Sequence, residues 1–206
     1  WSEGTGETSP SGTSSGWFSD GFGNVGSTGS AGVNIYSTGG DEWLITPTFD
    51  LSSGGYEINL DVALTTFSGT SSAVIGDDDA VYLMQSTDNG VNWTTLLTWD
   101  ADNSPSNTGD NVTVDISALT SATTKFALFM LEGSSSGGDL NFYVDNFSVR
   151  TPPSCLPPQS NSLSVANVTS SSVDISWAQG GTETDYEYVV QEAGTGEPTE
   201  AGMTVT

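Results

Sequence analysis

Residues 56–64 read YEINLDVAL. Tyr56, Ile58, Leu60, Val62 and Leu64 share one parity, and Glu57, Asn59 and Asp61 share the other. Side chains alternate across a strand, so this stretch predicts a β-strand with one face in a core and the other toward water. The same period recurs in both directions from it. Downstream lie AVYLMQS (80–86), TTLLTW (94–99) and NVTVDIS (111–117), the last with Val112, Val114 and Ile116 inward. KFALFMLE (125–132) is apolar on both parities, which predicts a central strand covered on both sides. LNFYVDNFSV (140–149) closes the series. Upstream, VNIY (33–36) is a short strand, and EWLITPTFDL (42–51) is extended, with Pro47 predicting an edge or a bulge. Residues 1–32 are Gly, Ser and Thr with a few aromatics, which predicts long loops and one edge strand. No segment carries a 3.6-residue period, so the fold class is all-β, and many strands joined by Gly, Ser and Asp turns predict a sandwich.

The composition changes at Thr151. TPPSCLPPQ (151–159) is Pro-rich and reads as a stiff linker. Beyond it, residues 160–206 carry two further strand patterns, SLSVANVTSSSVDISW (162–177) and YEYVVQEAG (186–194), with Trp177 inside the second strand. An immunoglobulin-like sandwich needs about 100 residues, so this second domain reads as a partial one. The expected organisation is a first domain over 1–150, a linker over 151–159 and a truncated module over 160–206.

The 206 residues include 26 Asp and Glu but only two basic residues, Lys125 and Arg150, for a formal net charge of −24. Nucleic acid is excluded as a partner, because phosphate recognition needs Lys or Arg to replace counterions. An anionic membrane surface is excluded on the same ground, and no stretch is apolar for long enough to insert in a bilayer. Charge of one sign on this scale repels itself unless salt or divalent cations screen it. The scarcity of Lys and Arg also removes most trypsin-type cleavage sites, which suits an extracellular protein. The single Cys155 cannot form an internal disulfide. The chain opens at Trp1 in mid-pattern and reads as a mature or excised piece of a longer polypeptide.

There is no histidine. That removes Ser-His-Asp and Cys-His nucleophiles, HExxH zinc sites and imidazole acid–base chemistry. Lys125 opens a strand pattern and reads as a solvated strand-end residue. Paired carboxylates survive this filter, but no compact run of alternating acids lies on one strand face. A non-catalytic chain is the expectation.

Three groups of carboxylates stand out. In STDNGVNW (86–93), Asp88, Asn89 and Gly90 are turn formers. The pattern Ser-x-Asp-x-Gly-x-x-Trp resembles the Asp-box hairpin, a structural motif, so Asp88 reads as turn chemistry. Asp77, Asp78 and Asp79 precede a strand with no basic residue near them. They fit either a Ca²⁺ loop of oxygen ligands or a solvated acidic turn, and the spacing is not that of an EF-hand. In LNFYVDNFSV the parity of the apolar residues slips at Asp145–Asn146, which predicts a β-bulge. A bulge re-aims a side chain, and here that side chain is a carboxylate in an apolar strand. Burial would require a partner, either a metal ion or backbone N–H groups.

Together, DEWLITPTFDLS (41–52), INLDVAL (58–64), VYLMQSTDNGVNW (81–93) and FYVDNFSV (142–149) resemble a MAM-like jelly roll. They are more similar still to the cleaved-adhesin or choice-of-anchor J domains of large secreted and surface proteins of Gram-negative bacteria that use type IX secretion. The tail from CLPPQ onward resembles the first half of a fibronectin type III module. The resemblance implies a jelly-roll β-sandwich followed by a partial immunoglobulin-like sandwich. It also implies a non-catalytic, Ca²⁺-stabilised module at the cell surface that binds polysaccharide or glycoprotein. The runners-up are a structural spacer and an accessory domain of a secreted protease or polysaccharidase. By motif match the resemblance carries Asp145, Asp41 and Glu42 over as calcium ligands. It leaves neighbouring domains of the same polypeptide, or other chains, as further partners.

Sugar sites need aromatic platforms with polar groups beside them. Trp17, Phe18, Tyr36, Trp43 and Trp99 qualify by type, and Trp93 stands beside them as a large aromatic. A sandwich with few Leu residues also needs Trp in its core. Trp43 and Trp93 are expected to be packing residues. Trp17 and Trp99, next to loop-rich polar stretches, are the expected ligand-binding residues.

Overall fold

The computed structural model describes residues 1–36, 40–134, 138–153, 156–159, 162–181, 184–191 and 202–205. Cys155 and the end of the 186–194 pattern lie outside them. The chain divides into two compact units, Trp1–Pro152 and Pro153–Thr206.

The first unit is a jelly-roll β-sandwich of ten strands. These are β1 (Ser2–Thr5), β2 (Phe18–Asp20), β3 (Ser30–Ile35), β4 (Asp41–Ile45), β5 (Glu57–Thr66), β6 (Ala80–Ser86), β7 (Thr94–Trp99), β8 (Asp110–Asp115), β9 (Lys125–Leu131) and β10 (Leu140–Arg150). One sheet runs β1-β4-β9-β6-β7 and the other β2-β3-β10-β5-β8, with every pair antiparallel.

The alternation of 56–64 builds the core between the sheets. Ile58, Leu60, Val62 and Leu64 are fully buried, each worth about 1.5–3 kcal/mol of transfer free energy. They meet Phe126, Leu128 and Met130 of β9 and Phe142 and Val144 of β10. Glu57, on the outward parity, is buried as well, and the Nε of Arg150 donates to its Oε1 at 2.9 Å.

β9 is the middle strand of its sheet, as its two apolar faces require. Its second face, Ala127 and Phe129, joins Trp43 and Ile45 in a smaller cluster on the outside of the sheet, flanked by Tyr82, Met84, Trp93 and Leu131. Trp43 stacks on Phe129 with ring centroids 4.3 Å apart and planes 19° apart. Its Nε1 donates to the Gly6 carbonyl at 2.7 Å, so the polar end of the buried indole is satisfied. Trp43 and Trp93 are packing residues here.

Two expectations change. β4 ends at Ile45, two residues before Pro47, and lies between β1 and β9, so Pro47 marks an interruption and not an edge strand. The chain re-pairs at once, with the Phe49 and Thr124 backbones exchanging hydrogen bonds of 2.7 and 3.0 Å. A proline cannot donate to the ladder, so the strand breaks around it. The first 32 residues also hold two edge strands, β1 and β2, where one was expected. Their Gly- and Ser-rich sequence hid the pairing, because backbone groups alone make an edge ladder.

The second unit holds two antiparallel pairs. β11 (Ser164–Ala166) pairs with β12 (Asp174–Ser176), and β13 (Tyr186–Tyr188) with β14 (Met203–Val205). Trp177 follows β12 directly and packs edge-on to Tyr186 at 5.6 Å. Val165, Val190 and Met203 are exposed. No helix among the described residues is long and apolar enough to cross a membrane.

Candidate functional site

The first unit carries a cleft of about 640 Å³ where its two sheets come to their shared edge. One wall is Trp1, Glu3 of β1 and Leu44 of β4. The other is Phe18 and Ser19 of β2, Gly29 to Ala31, and Val144 to Phe147 of β10, with Trp17 between. Each wall exists for a local reason.

The bulge in β10 falls where the slipped parity put it, with the ladder to β5 shifting between Asp145 and Ser148. Asn146 takes the left-handed conformation there, with φ of 51°, a region that Asn enters more readily than most residues. After the bulge Phe147 and Val149 turn back to the core, and Asp145 lines the cleft. The Asn146 amide donates to Asp61 Oδ2 and the Asn111 amide to Asp61 Oδ1, both at 2.7 Å. Those two bonds hold the Asp61 carboxyl below its usual range.

The opposite wall is held by two other carboxylates. Glu3 Oε2 accepts from the Ser15 N–H at 3.0 Å and from its hydroxyl at 3.1 Å. Glu42 Oε2 accepts from the Gly16 N–H at 2.6 Å, and the Glu42 carbonyl accepts from Trp17 Nε1 at 3.2 Å. Together they clamp the 15–17 segment against β1 and β4 and set Trp17 between the sheets. Across the cleft a Cβ on Gly32 would fall 2.8 Å from the Phe18 ring and 3.2 Å from that of Tyr143. The glycine therefore lets Phe18 lie across the strand. Trp1 meets Phe147 edge-on at 5.2 Å and is 56% exposed, the open aromatic of the site.

The two expected ligand-binding indoles are buried, and of the two Trp17 borders the cleft. Trp17 is 7% and Trp99 3% exposed, and both belong to the core. Trp99 packs on Phe142 at 5.3 Å, with no face open to a ligand. Trp17 lines the cleft only as part of its floor. Both lie next to loops in sequence, but both pack into the core, and indole is too large an apolar surface to leave in water. Trp1, Phe18 and Phe147 line the cleft and were missed as a group. The bulge signal points at Asp145, but nothing local links it to Trp1 and Phe18, 144 and 127 positions earlier in the chain.

The expected calcium ligands do not converge. Asp145 lines the cleft, and the Asn146 N–H donates to its Oδ1 at 2.7 Å. Glu42 is occupied by Gly16. Asp41, the neighbour of Glu42 in β4, has its carboxyl raised by burial and then by Glu7. Asp78 Oδ2 accepts from Ser134 N–H at 2.8 Å, and Asp79 Oδ1, buried, from Gly133 N–H at 2.9 Å. Asp77 is exposed in the same turn. Beside them Glu132 is buried and its carboxyl raised, first by desolvation and then by Asp79. Among the described residues no three acidic, His or Cys side chains group as a metal ion requires. Glu42, Asp78, Asp79 and Asp145 each give one carboxylate oxygen to a backbone N–H, and the expected ligands lie in separate places of the fold. Asp88 is turn chemistry: its Oδ1 accepts from Ser86 Oγ and the N–H groups of Val91 and Asn92 at 2.7–3.1 Å, and its carboxyl is lowered to about 2.

No protein-family model matches the sequence, and no curated protein does. Among solved structures the chain is similar to the K1 cleaved adhesin domain of Lys-gingipain from Porphyromonas gingivalis, at 20% identity over 68% of this chain and 85% of that one, with a TM-score of 0.46. It is similar to TmCBM61 in complex with β-1,4-galactotriose at 13% identity over 59% and 70%, with a TM-score of 0.38. It is also similar to the N-terminal cellulose-binding domain of β-1,4-glucanase C from Cellulomonas fimi, at 16% identity over 67% and 90%, with a TM-score of 0.35. All three lie below a TM-score of 0.5, so the reading of the cleft rests on this chain's own side chains.

Proposed function

We propose that the chain is a non-catalytic binding module of the adhesin kind that takes carbohydrate in the edge cleft of its first unit. One observation carries this: an exposed indole, Trp1, and the partly buried rings of Phe18 and Phe147 line one cleft with Glu3, Asp145 and Asn146. Sugar rings present apolar C–H faces and a rim of hydroxyls, so aromatic surface beside acceptors is the chemistry that holds them. The absence of His and the use of most carboxylates as acceptors for N–H groups favour binding over turnover. In this proposal the module works outside the cell, on a secreted or surface polypeptide, and the second unit is part of a fibronectin type III module.

The test is calorimetric titration of the whole chain with neutral oligosaccharides, in Ca²⁺ and again in EGTA. Wild type is expected to bind at least one of them, and Trp1→Ala to lose most of that affinity with an unchanged unfolding midpoint. Glu42, Asp78, Asp79 and Asp145 each accept a backbone N–H, so binding is expected to survive EGTA. Binding lost in EGTA would return the cation to the site. No binding to any glycan favours a structural spacer.

A further inference from the structure

Resting on that reading, we infer that the edge cleft selects glycans that carry a protonated amine over acetylated, unsubstituted or acidic ones. The two carboxylates of the cleft come from opposite walls, Glu3 from β1 and Asp145 from the bulge of β10. Each gives one oxygen to this chain, Glu3 Oε2 to Ser15 and Asp145 Oδ1 to Asn146. The other oxygen of each, Oε1 and Oδ2, takes no hydrogen bond from a described residue. A carboxylate accepts and never donates, so what it lacks is a donor, and a charged donor binds it most strongly.

Lys, Arg and His are absent from the lining. The rings of Trp1, Phe18 and Phe147 present negative faces that attract a cation at short range. The protein's field has the same sign, with a formal net charge of −24, so it concentrates cations and repels uronates and sulfated sugars. An amino sugar offers both halves of the match: a ring face for the indole and an ammonium group for the carboxylates.

The experiment titrates the whole chain with chitosan oligosaccharides, chitin oligosaccharides of the same length and cello-oligosaccharides, at a slightly acidic pH where the amine is protonated. Wild type is expected to bind the amine form about ten-fold more tightly than the acetylated one, the scale of one charge-assisted hydrogen bond. The Glu3→Gln/Asp145→Asn double variant keeps the shape and 24 of the 26 acids of the chain. It is expected to lose that preference, its ratio of amine to acetylated affinity falling to about one whatever the change in affinity for the neutral forms. Equal binding of all three by wild type overturns the inference and leaves the carbohydrate reading standing. A preference that persists in the double variant also overturns it, because bulk charge then accounts for it. No binding of any of the three overturns both. Single variants Glu3→Gln and Asp145→Asn, each checked for an unchanged unfolding midpoint, guard against loss of the fold.

Discussion

Asp88 and Asp145 are both aspartates at irregular points of antiparallel ladders, and the structure gives them opposite work. Asp88 closes the β6–β7 turn. Its Oδ1 takes the N–H groups of Val91 and Asn92 and the hydroxyl of Ser86, and its Oδ2 takes the Asn92 amide at 2.6 Å. Asp145 sits at the bulge of β10, takes one N–H from Asn146, and faces a cleft. A carboxylate saturated by its own turn is a structural part. One with an oxygen left over, beside aromatic rings, is available to a ligand. The sequence reads Asp88 as turn chemistry and Asp145 as a carboxylate re-aimed by a bulge, and the structure adds the number of donors around each.

The hardest blow to this contrast comes from beneath the Asp88 turn. Trp93 packs on the cluster built by Trp43, whose indole is fully buried. Trp43→Ala should cost about 3–5 kcal/mol, read as a lower denaturant midpoint with an unchanged slope. A loss below about 1 kcal/mol, the scale of an ordinary surface change, would mean that the outer cluster contributes little and that Asp88 alone holds the hairpin.

The sharpest test exchanges the two roles. Asp145→Asn should weaken binding of an amine-bearing glycan roughly ten-fold, the scale of a hydrogen bond to a charged group, with no change in Tm. Asp88→Asn should lower Tm by a few degrees with no change in glycan affinity. If either variant moved both readouts, the division of labour between the two sites would not hold.

The smallest effect is in pH. The Asp88 carboxyl lies at about 2 in the fold against an ordinary value of 3.8. A depressed folded value contributes stability that is fully present above the unfolded value and lost as pH falls through the folded one. The Tm gap between wild type and Asp88→Asn should therefore be full at pH values above the ordinary carboxylate range and shrink as pH falls to about 2. A gap that stays constant across that window would mean that the turn is held by Ser86 and Asn92 without the charge.

Several features legible in the sequence are local in origin. The alternation of 56–64, the two-faced pattern of 125–132 and the slipped parity at Asp145–Asn146 each concern neighbours within one strand. Each reappears in the structure as β5, as the central β9, and as the bulge of β10. The Asp88 turn is legible for the same reason, since all its hydrogen-bond partners lie within four residues. The zero histidine count and the −24 charge likewise bound the chemistry from composition alone.

What the sequence could not supply is set by contacts between distant segments. Trp17 and Trp99 look like surface residues from their polar neighbours, but both join the core with residues of distant strands, and burial depends on what packs on a residue. Glu42 and Asp79 accept the Gly16 and Gly133 N–H groups from 26 and 54 residues away, donors no local pattern shows. The cleft joins Trp1 and Glu3 to Asp145 and Phe147 across nearly the whole length of the first unit. A period of two residues fixes which way a side chain points within a strand, and the sequence carries that by itself. Which edges meet, and which carboxylates keep an oxygen for a ligand, follow from how the two sheets pack, and only the tertiary structure decides that.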